Sequence, residues 1–184
     1  MTQPEHDALA PSRWIERFAA LVPPGARVLD VAAGHGRNAR HLARRGARVL
    51  AVDRDAAALA TLQGVAGVDT RVADLEGAHW PLAGERFDAI VVVHYLHRPS
   101  LPLLLDALAD DGVLLYETFA TGNERFGRPS NPAFLLRANE LLDVVAQRLT
   151  IVAFEQGEIG GARAAVVQRL AAVGTARGWP PALP

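Results

Sequence analysis

Hydrophobic positions along this chain switch repeatedly between two spacings. Trp14, Ile15, Phe18, Ala19 and Val22 form one stripe at helical spacing, so Ser12 to Val22 is predicted helical, ended by Pro23-Pro24-Gly25. Arg27 to Ala32 is a short apolar run and the first predicted strand. Gly36 to Arg45 follows as a helix closed by Gly46, then Ala47 to Asp53 as a second strand. Asp55 is placed to cap a short helix to Gln63, and Val68 to Ala73 is the third strand. Glu76 to Gly84 reads as loop. Phe87 to Val93 is continuously apolar, which suits a central strand buried on both faces. Leu101 to Ala109 is predicted helical, Asp110-Asp111-Gly112 a turn, and Val113 to Glu117 a fifth strand. Thr118 to Pro132 reads as a long loop, Phe134 to Gln147 as a helix and Leu149 to Phe154 as a sixth strand. Gly160-Gly161 marks a hairpin tip leading into a seventh strand, Ala164 to Ala172.

Strands alternating with amphipathic helices predict an α/β fold: a three-layer, doubly wound, Rossmann-like and mostly parallel sheet of seven strands, with a C-terminal antiparallel hairpin. The usual dinucleotide-binding arrangement has six strands. The 184 residues are expected to form one domain, with an N-terminal helical region over 1–24, a core over 25–172 and an irregular tail over 173–184.

Composition narrows the chemistry. The chain has no cysteine, so thiolate nucleophiles and cysteine metal sites are excluded. All 19 basic residues are arginine, so lysine Schiff bases are excluded too. A net charge of −1 argues against wholesale electrostatic binding to nucleic acid or anionic lipid. Arg37, Arg40, Arg44 and Arg48 recur at helical spacing and read as a solvated face. No apolar run approaches the about 18 residues that span a bilayer. The first residues show neither a basic nor an apolar leader segment, so a cytoplasmic protein is expected, with no membrane partner. The histidines lack metal-site spacing, and no metal is expected.

The chemistry-bearing signal is Val28 to Gly36, VLDVAAGHG, a buried strand running into a glycine turn and then a helix. Gly34 and Gly36 permit a sharp turn and a close ligand approach. The turn lies at the carboxyl end of the first strand, where open α/β sheets bind ligands, and a helix N-terminus points into the same crevice. Two cofactors could use it. Gly34 to Ala39 matches the G-x-G-x-x-A dinucleotide fingerprint, with Asp53 at the end of the second strand ready for a ribose hydroxyl. Asp30 separates the two. A carboxylate there would repel a pyrophosphate but would welcome a ligand carrying an ammonium and a sulfonium.

Read as D-x-A-x-G-x-G, Asp30 to Gly36 resembles the first motif of class I S-adenosylmethionine (SAM)-dependent methyltransferases. The resemblance extends over about residues 25–172. It takes in FDAIVVVHYLH, Phe87 to His97, like the family's fourth strand, and DDGVLLYETF, Asp110 to Phe119, like its fifth-strand entry. It implies SAM as cofactor, S-adenosylhomocysteine as product, and a cofactor site of Asp30, Ala32, Gly34, Gly36, Asp53, Asp74, Leu75 and His94. Within that set Asp53 would take the ribose diol. Asp74 would accept from the adenine amine, and the Leu75 backbone N–H would reach a ring nitrogen. Ala32 departs from the pattern, since many members have the motif's first glycine there. With no inserted substrate domain, the chain is similar in scale to the tellurite-resistance type and is expected to act on a small-molecule acceptor.

On the acceptor side, His94 and Glu117 are the catalytic candidates. Glu117 could be a general base, a hydrogen-bond acceptor for substrate, or a partner for an arginine of the long loop. Tyr116 should point to the opposite face and pack in the core. The 118–132 loop is long enough to be functional, and its glycines, arginines and Phe126 suit a lid over the acceptor. The alternatives are an NAD(P)-dependent oxidoreductase, or a SAM-binding protein without turnover.

Overall fold

The computed structural model describes residues 10–161, 164–178 and 180. The predicted irregular tail lies partly outside the described residues, as does the start of the N-terminal region. Seven strands form one sheet in the order β3-β2-β1-β4-β5-β7-β6. They are β1 Arg27–Val31, β2 Arg48–Asp53, β3 Val68–Val72, β4 Phe87–Val93, β5 Leu108–Phe119, β6 Leu149–Ile159 and β7 Ala165–Gly174. β1 to β5 pair in parallel, whereas β7 runs antiparallel to both β5 and β6. The α/β sheet with a C-terminal hairpin is therefore as the sequence predicts.

Five α-helices cover the sheet among the described residues: α1 Arg13–Phe18, α2 Arg37–Arg44, α3 Ala56–Ala60, α4 Leu101–Ala107 and α5 Glu140–Val145. On one face Trp14, Ile15 and Phe18 of α1, Leu42 of α2 and Leu59 of α3 pack against Val28, Val91 and Leu115. On the other, Leu101, Leu104 and Leu105 of α4 and Leu141 and Val145 of α5 pack against Leu29, Ile90 and Leu114. Each such side chain contributes roughly 1.5–3 kcal/mol when fully buried. β4 sits between β1 and β5, and every residue of it but Asp88 is buried. That position explains its unbroken apolar run.

Caps set the helix starts. Ser12 Oγ accepts from Trp14 N at 3.1 Å, and Asp55 Oδ1 accepts from Ala57 N at 2.9 Å. α1 ends at Phe18 and tightens into a 3-10 turn over Ala19–Leu21. Gly36, at the start of α2, has a left-handed φ of 69° and no side chain to cap with. Asp30 of β1 caps that helix instead.

Three local expectations are corrected. Asp110-Asp111-Gly112 is not a turn between helix and strand but a bulge inside β5. The register passes from Phe87 opposite Leu108 to Ala89 opposite Val113, which places the extra residues on β5. The predicted helix from Phe134 begins only at Glu140. Residues before it bond outward: Leu136 N donates to Phe119 O at 3.0 Å, and Arg98 donates to the carbonyls of Ala133 and Leu135, both at 2.8 Å. Those carbonyls are then committed to Arg98 instead of to helical partners. The 118–132 loop is also tied down more than its composition suggests. Asn123 is buried, its Oδ1 accepting from Val166 N at 3.1 Å and its Nδ2 donating to Pro129 O at 3.0 Å.

The arginine row lies largely at the surface, but Arg40 donates to the Thr61 carbonyl and Arg48 to Gly25 O at 3.2 Å, so these two also fasten neighbouring turns. No helix among the described residues is long and apolar enough to cross a membrane.

Candidate active site

The carboxyl ends of β1, β2, β3 and β4 converge on a cavity of about 200 Å³ lined by Ala32, Asp53, Arg54, Ala73, Asp74, Leu75, Glu76 and Tyr95. Four of the sequence-predicted residues, Ala32, Asp53, Asp74 and Leu75, thus meet in one place. They come from the ends or exits of three strands, β1, β2 and β3, because parallel neighbours finish on the same edge.

The glycine turn is held against this cavity by Asp53. Its Oδ2 accepts from Gly34 N at 2.7 Å and its Oδ1 from Asp55 N at 2.9 Å. Gly34 has a φ of 54°, and a Cβ there would meet nothing within 4 Å. Its Cα therefore faces open space. Gly36 differs: a Cβ at its φ of 69° would lie 2.5 Å from Leu62. Gly36 is needed for close packing against the Leu62 side chain as well as for its backbone angle. Ala32 takes a φ of 52° despite carrying a Cβ. Left-handed backbone costs a non-glycine residue about 1–2 kcal/mol, so the turn is strained where the family's pattern has glycine.

Asp30 lies behind the turn, buried in β1, with Oδ2 accepting from Ala39 N at 2.9 Å. Burial pushes its carboxyl up to about 7, against the Ala39 N–H and the Arg37 guanidinium, which pull it down. Asp74 Oδ1 accepts from Glu76 N at 2.9 Å, forming a local turn that presents Leu75. Leu75 O is fixed by Ser100 Oγ at 2.9 Å.

Two strands away stands a second cluster. Glu117 of β5 is buried. Its Oε2 accepts from Arg169 Nε at 2.7 Å and its Oε1 from Ser12 Oγ at 3.1 Å. Arg169 also reaches Glu155 of β6 at 3.4 Å, and Arg17 of α1 pairs with the same Glu155 at 2.8 Å. Of the three roles open to Glu117, the geometry displays the arginine partnership, with an arginine of β7 and not of the loop. His94 follows β4 with a φ of 58°, its ring stacked on Phe119 at 4.7 Å and its Nε2 3.8 Å from Glu117 Oε1. Neither His94 nor Glu117 lines the cavity of Asp53 and Asp74. Tyr116 is buried, as its strand parity predicts, and its hydroxyl donates to Tyr95 O at 2.8 Å.

Sequence reasoning passed over Tyr95, Arg54, Glu76 and Ala73. Each is adjacent in sequence to a residue that was singled out, which is the signal that could have found them. Strand exits bring side chains into a crevice in consecutive pairs, not singly.

The architecture and its strand-end cavity define a class I methyltransferase fold. The TehB crystal structure from Haemophilus influenzae superposes with a TM-score of 0.73 at 18% identity, covering 90% of this chain and 62% of that one. Burkholderia thailandensis 1,6-didemethyltoxoflavin-N1-methyltransferase, solved with 1,6-didemethyltoxoflavin and S-adenosylhomocysteine bound, gives 0.66 at 24% identity over 93% of this chain and 80% of that one. Residues 28–110 match the family model described as a methyltransferase domain. A curated relative, the ubiquinone biosynthesis O-methyltransferase of Xanthomonas axonopodis pv. citri (strain 306), is 38% identical over 108 residues. That alignment takes in 55% of this chain and 45% of the relative, so the chain spans under half of the relative's length. The resemblance to class I methyltransferases read from Asp30 to Gly36 is borne out.

Proposed function

We propose that this protein is a SAM-dependent methyltransferase acting on a small-molecule acceptor and releasing S-adenosylhomocysteine. The observation that carries the reading is the charge of the site. Asp53, Asp74 and Glu76 ring one cavity, and Asp30 is buried behind its glycine turn. The acids outnumber Arg54, the one arginine lining the crevice, and that balance favours a cationic ligand over a pyrophosphate, which speaks against the oxidoreductase alternative.

The residues fit the cofactor on independent grounds. Gly34 leaves open space where a side chain would stand. Asp53 turns a carboxylate into the cavity that can accept from a ribose diol, and Asp74 can accept from an exocyclic amine. Leu75 offers backbone to the base. Asp30, with its carboxyl near 7, is poised to ionise beside a positive charge. When bound, SAM supplies an electrophilic methyl group on a sulfonium. The chain's own part is to hold the donor and to present the acceptor in line with it. His94, Phe119 and Glu117 form the acceptor side in this reading. Because Arg169 and Ser12 engage both Glu117 oxygens, Glu117 acts there as a fixed negative charge facing His94. The relatives named above methylate oxygen in one case and N1 of a heterocycle in the other, which supports a small acceptor without choosing its atom.

Isothermal titration with S-adenosylhomocysteine and, separately, with NADH tests the reading. S-adenosylhomocysteine is expected to bind and NADH not to; NADH binding alone would overturn it.

A further inference from the structure

The turn that carries Asp74 and Leu75 is held from outside the cavity by one buried serine. Leu75 O and Glu76 N–H are the two poles of a single planar peptide group. Asp74 Oδ1 accepts from that N–H at 2.9 Å, and Ser100 Oγ donates to the carbonyl at 2.9 Å. Pinned at both ends, the peptide in turn holds in place the Asp74 carboxylate bonded to it. Ser100 is 2% exposed and is not among the residues that line the cavity.

Two further observations set Ser100 apart. It stands at the N-cap position of α4, where a serine ordinarily bonds a free helix N–H, yet its side chain makes no cap bond there. The hydroxyl is committed elsewhere. A carbonyl only accepts, so the one hydroxyl proton goes to Leu75 O, and His97 Nδ1, 2.6 Å away, must be the donor to Ser100 Oγ. Tyr95, which lines the cavity, turns its buried hydroxyl toward the same serine. One side chain thus joins the turn after β3 to the exit of β4, two strands that are not neighbours in the sheet.

We infer that Ser100 is a positioning residue of the cofactor site and that, through the 74–76 turn, it sets the selectivity for adenine. The inference rests on the SAM reading above, in which Asp74 accepts from the exocyclic amine and the Leu75 N–H reaches the neighbouring ring nitrogen. An acceptor beside a donor, at fixed spacing, matches that amine and nitrogen. Hypoxanthine presents the reverse, a carbonyl beside an N–H, and opposes both groups. A turn with its peptide fixed rejects hypoxanthine, whereas a turn free to rotate that peptide discriminates less.

Ser100→Ala removes the hydroxyl and costs α4 no cap bond. Calorimetry with S-adenosylhomocysteine and with S-inosylhomocysteine, its hypoxanthine counterpart, reads the effect. Wild type is expected to bind the adenine form at least about tenfold more tightly. Ser100→Ala should bind S-adenosylhomocysteine about five- to tenfold more weakly, with the inosine form changed less than about twofold, so that the ratio shrinks. A general loss of packing would weaken both ligands alike. An unchanged ratio, whether both affinities fall or neither does, overturns the inference. If Ser100→Ala does not fold, His97→Leu, at a half-buried position, takes its place by removing the second partner of Oγ. A ratio about two- to threefold smaller than wild type then supports the inference, and an unchanged ratio overturns it. Equal binding of the two forms by wild type also overturns it and leaves the SAM reading intact. Failure of wild type to bind either form overturns the SAM reading itself, and this inference with it.

Discussion

The two halves of the sheet edge treat charge in opposite ways. At the ends of β1 to β4, Asp53, Asp74 and Glu76 surround a cavity that Arg54 and Tyr95 also line. At the ends of β5, β7 and β6, Glu117, Arg169, Glu155 and Arg17 form a chain of ion pairs that satisfies itself. The first half leaves its acids around an open cavity. The second is closed and stabilises the packing of α1 on the sheet, through Ser12 and Arg17. Acidic groups lining an open cavity mark a binding site better than the number of charged residues does.

Backbone substitution should break the comparison most sharply. Gly36→Val forces a side chain into Leu62 at a left-handed φ of 69°. Strain and overpacking together should destabilise by about 3–5 kcal/mol, read as a large loss of melting temperature. Gly34→Val has the same kind of strain but open space for its side chain. It should cost about 1–3 kcal/mol, keep the fold and abolish S-adenosylhomocysteine binding. If both variants behaved alike, the two glycines would not have the separate roles assigned here.

A carboxylate from each half should separate stability from binding. Glu117→Gln leaves Arg169 facing a neutral amide and should destabilise by about 1–3 kcal/mol with cofactor affinity unchanged. Asp53→Ala should weaken S-adenosylhomocysteine binding at least tenfold, with a smaller loss of stability from the Gly34 and Asp55 N–H groups it releases. Equal cofactor affinity for Asp53→Ala and wild type would remove the ribose assignment.

Asp30 links the comparison to pH. Its folded-state carboxyl lies near 7, above the unfolded value of 3.8, so the folded state holds the extra proton between them. Its contribution to ligand-free stability is present at low pH and is lost as pH rises from about 4 through 7. The ammonium of the ligand's amino-acid end favours the ionised form, so S-adenosylhomocysteine affinity should increase between pH 6 and pH 8, with proton release detectable by titration in buffers of different ionisation enthalpy. Asp30→Asn should flatten both profiles. The smallest effect concerns Ala32, whose φ of 52° carries left-handed strain. Ala32→Gly should raise stability by about 0.5–1 kcal/mol, the relieved strain being partly offset by the looser unfolded chain. A loss of stability would show that the turn is not strained at that residue.

Much of this protein was legible in its residues alone. The period of the apolar positions determined the α/β sheet and its C-terminal hairpin, because burial on one or both faces leaves a local signature at each element. The run Asp30 to Gly36 and the acids ending β2 and following β3 pointed to the edge where the cavity lies, because each sits at or beside a strand end and the parallel sheet brings strand ends together. Other features depended on contacts between residues far apart in sequence, which no local window contains. Arg98 drew the Ala133 and Leu135 carbonyls out of a helix that Phe134 to Gln147 had every local reason to form. Gly112 lies within a bulged strand because β5 pairs with β4 on one side and β7 on the other. Glu117 could not be read as the partner of Arg169, 52 residues further on, until an antiparallel strand laid the two side by side.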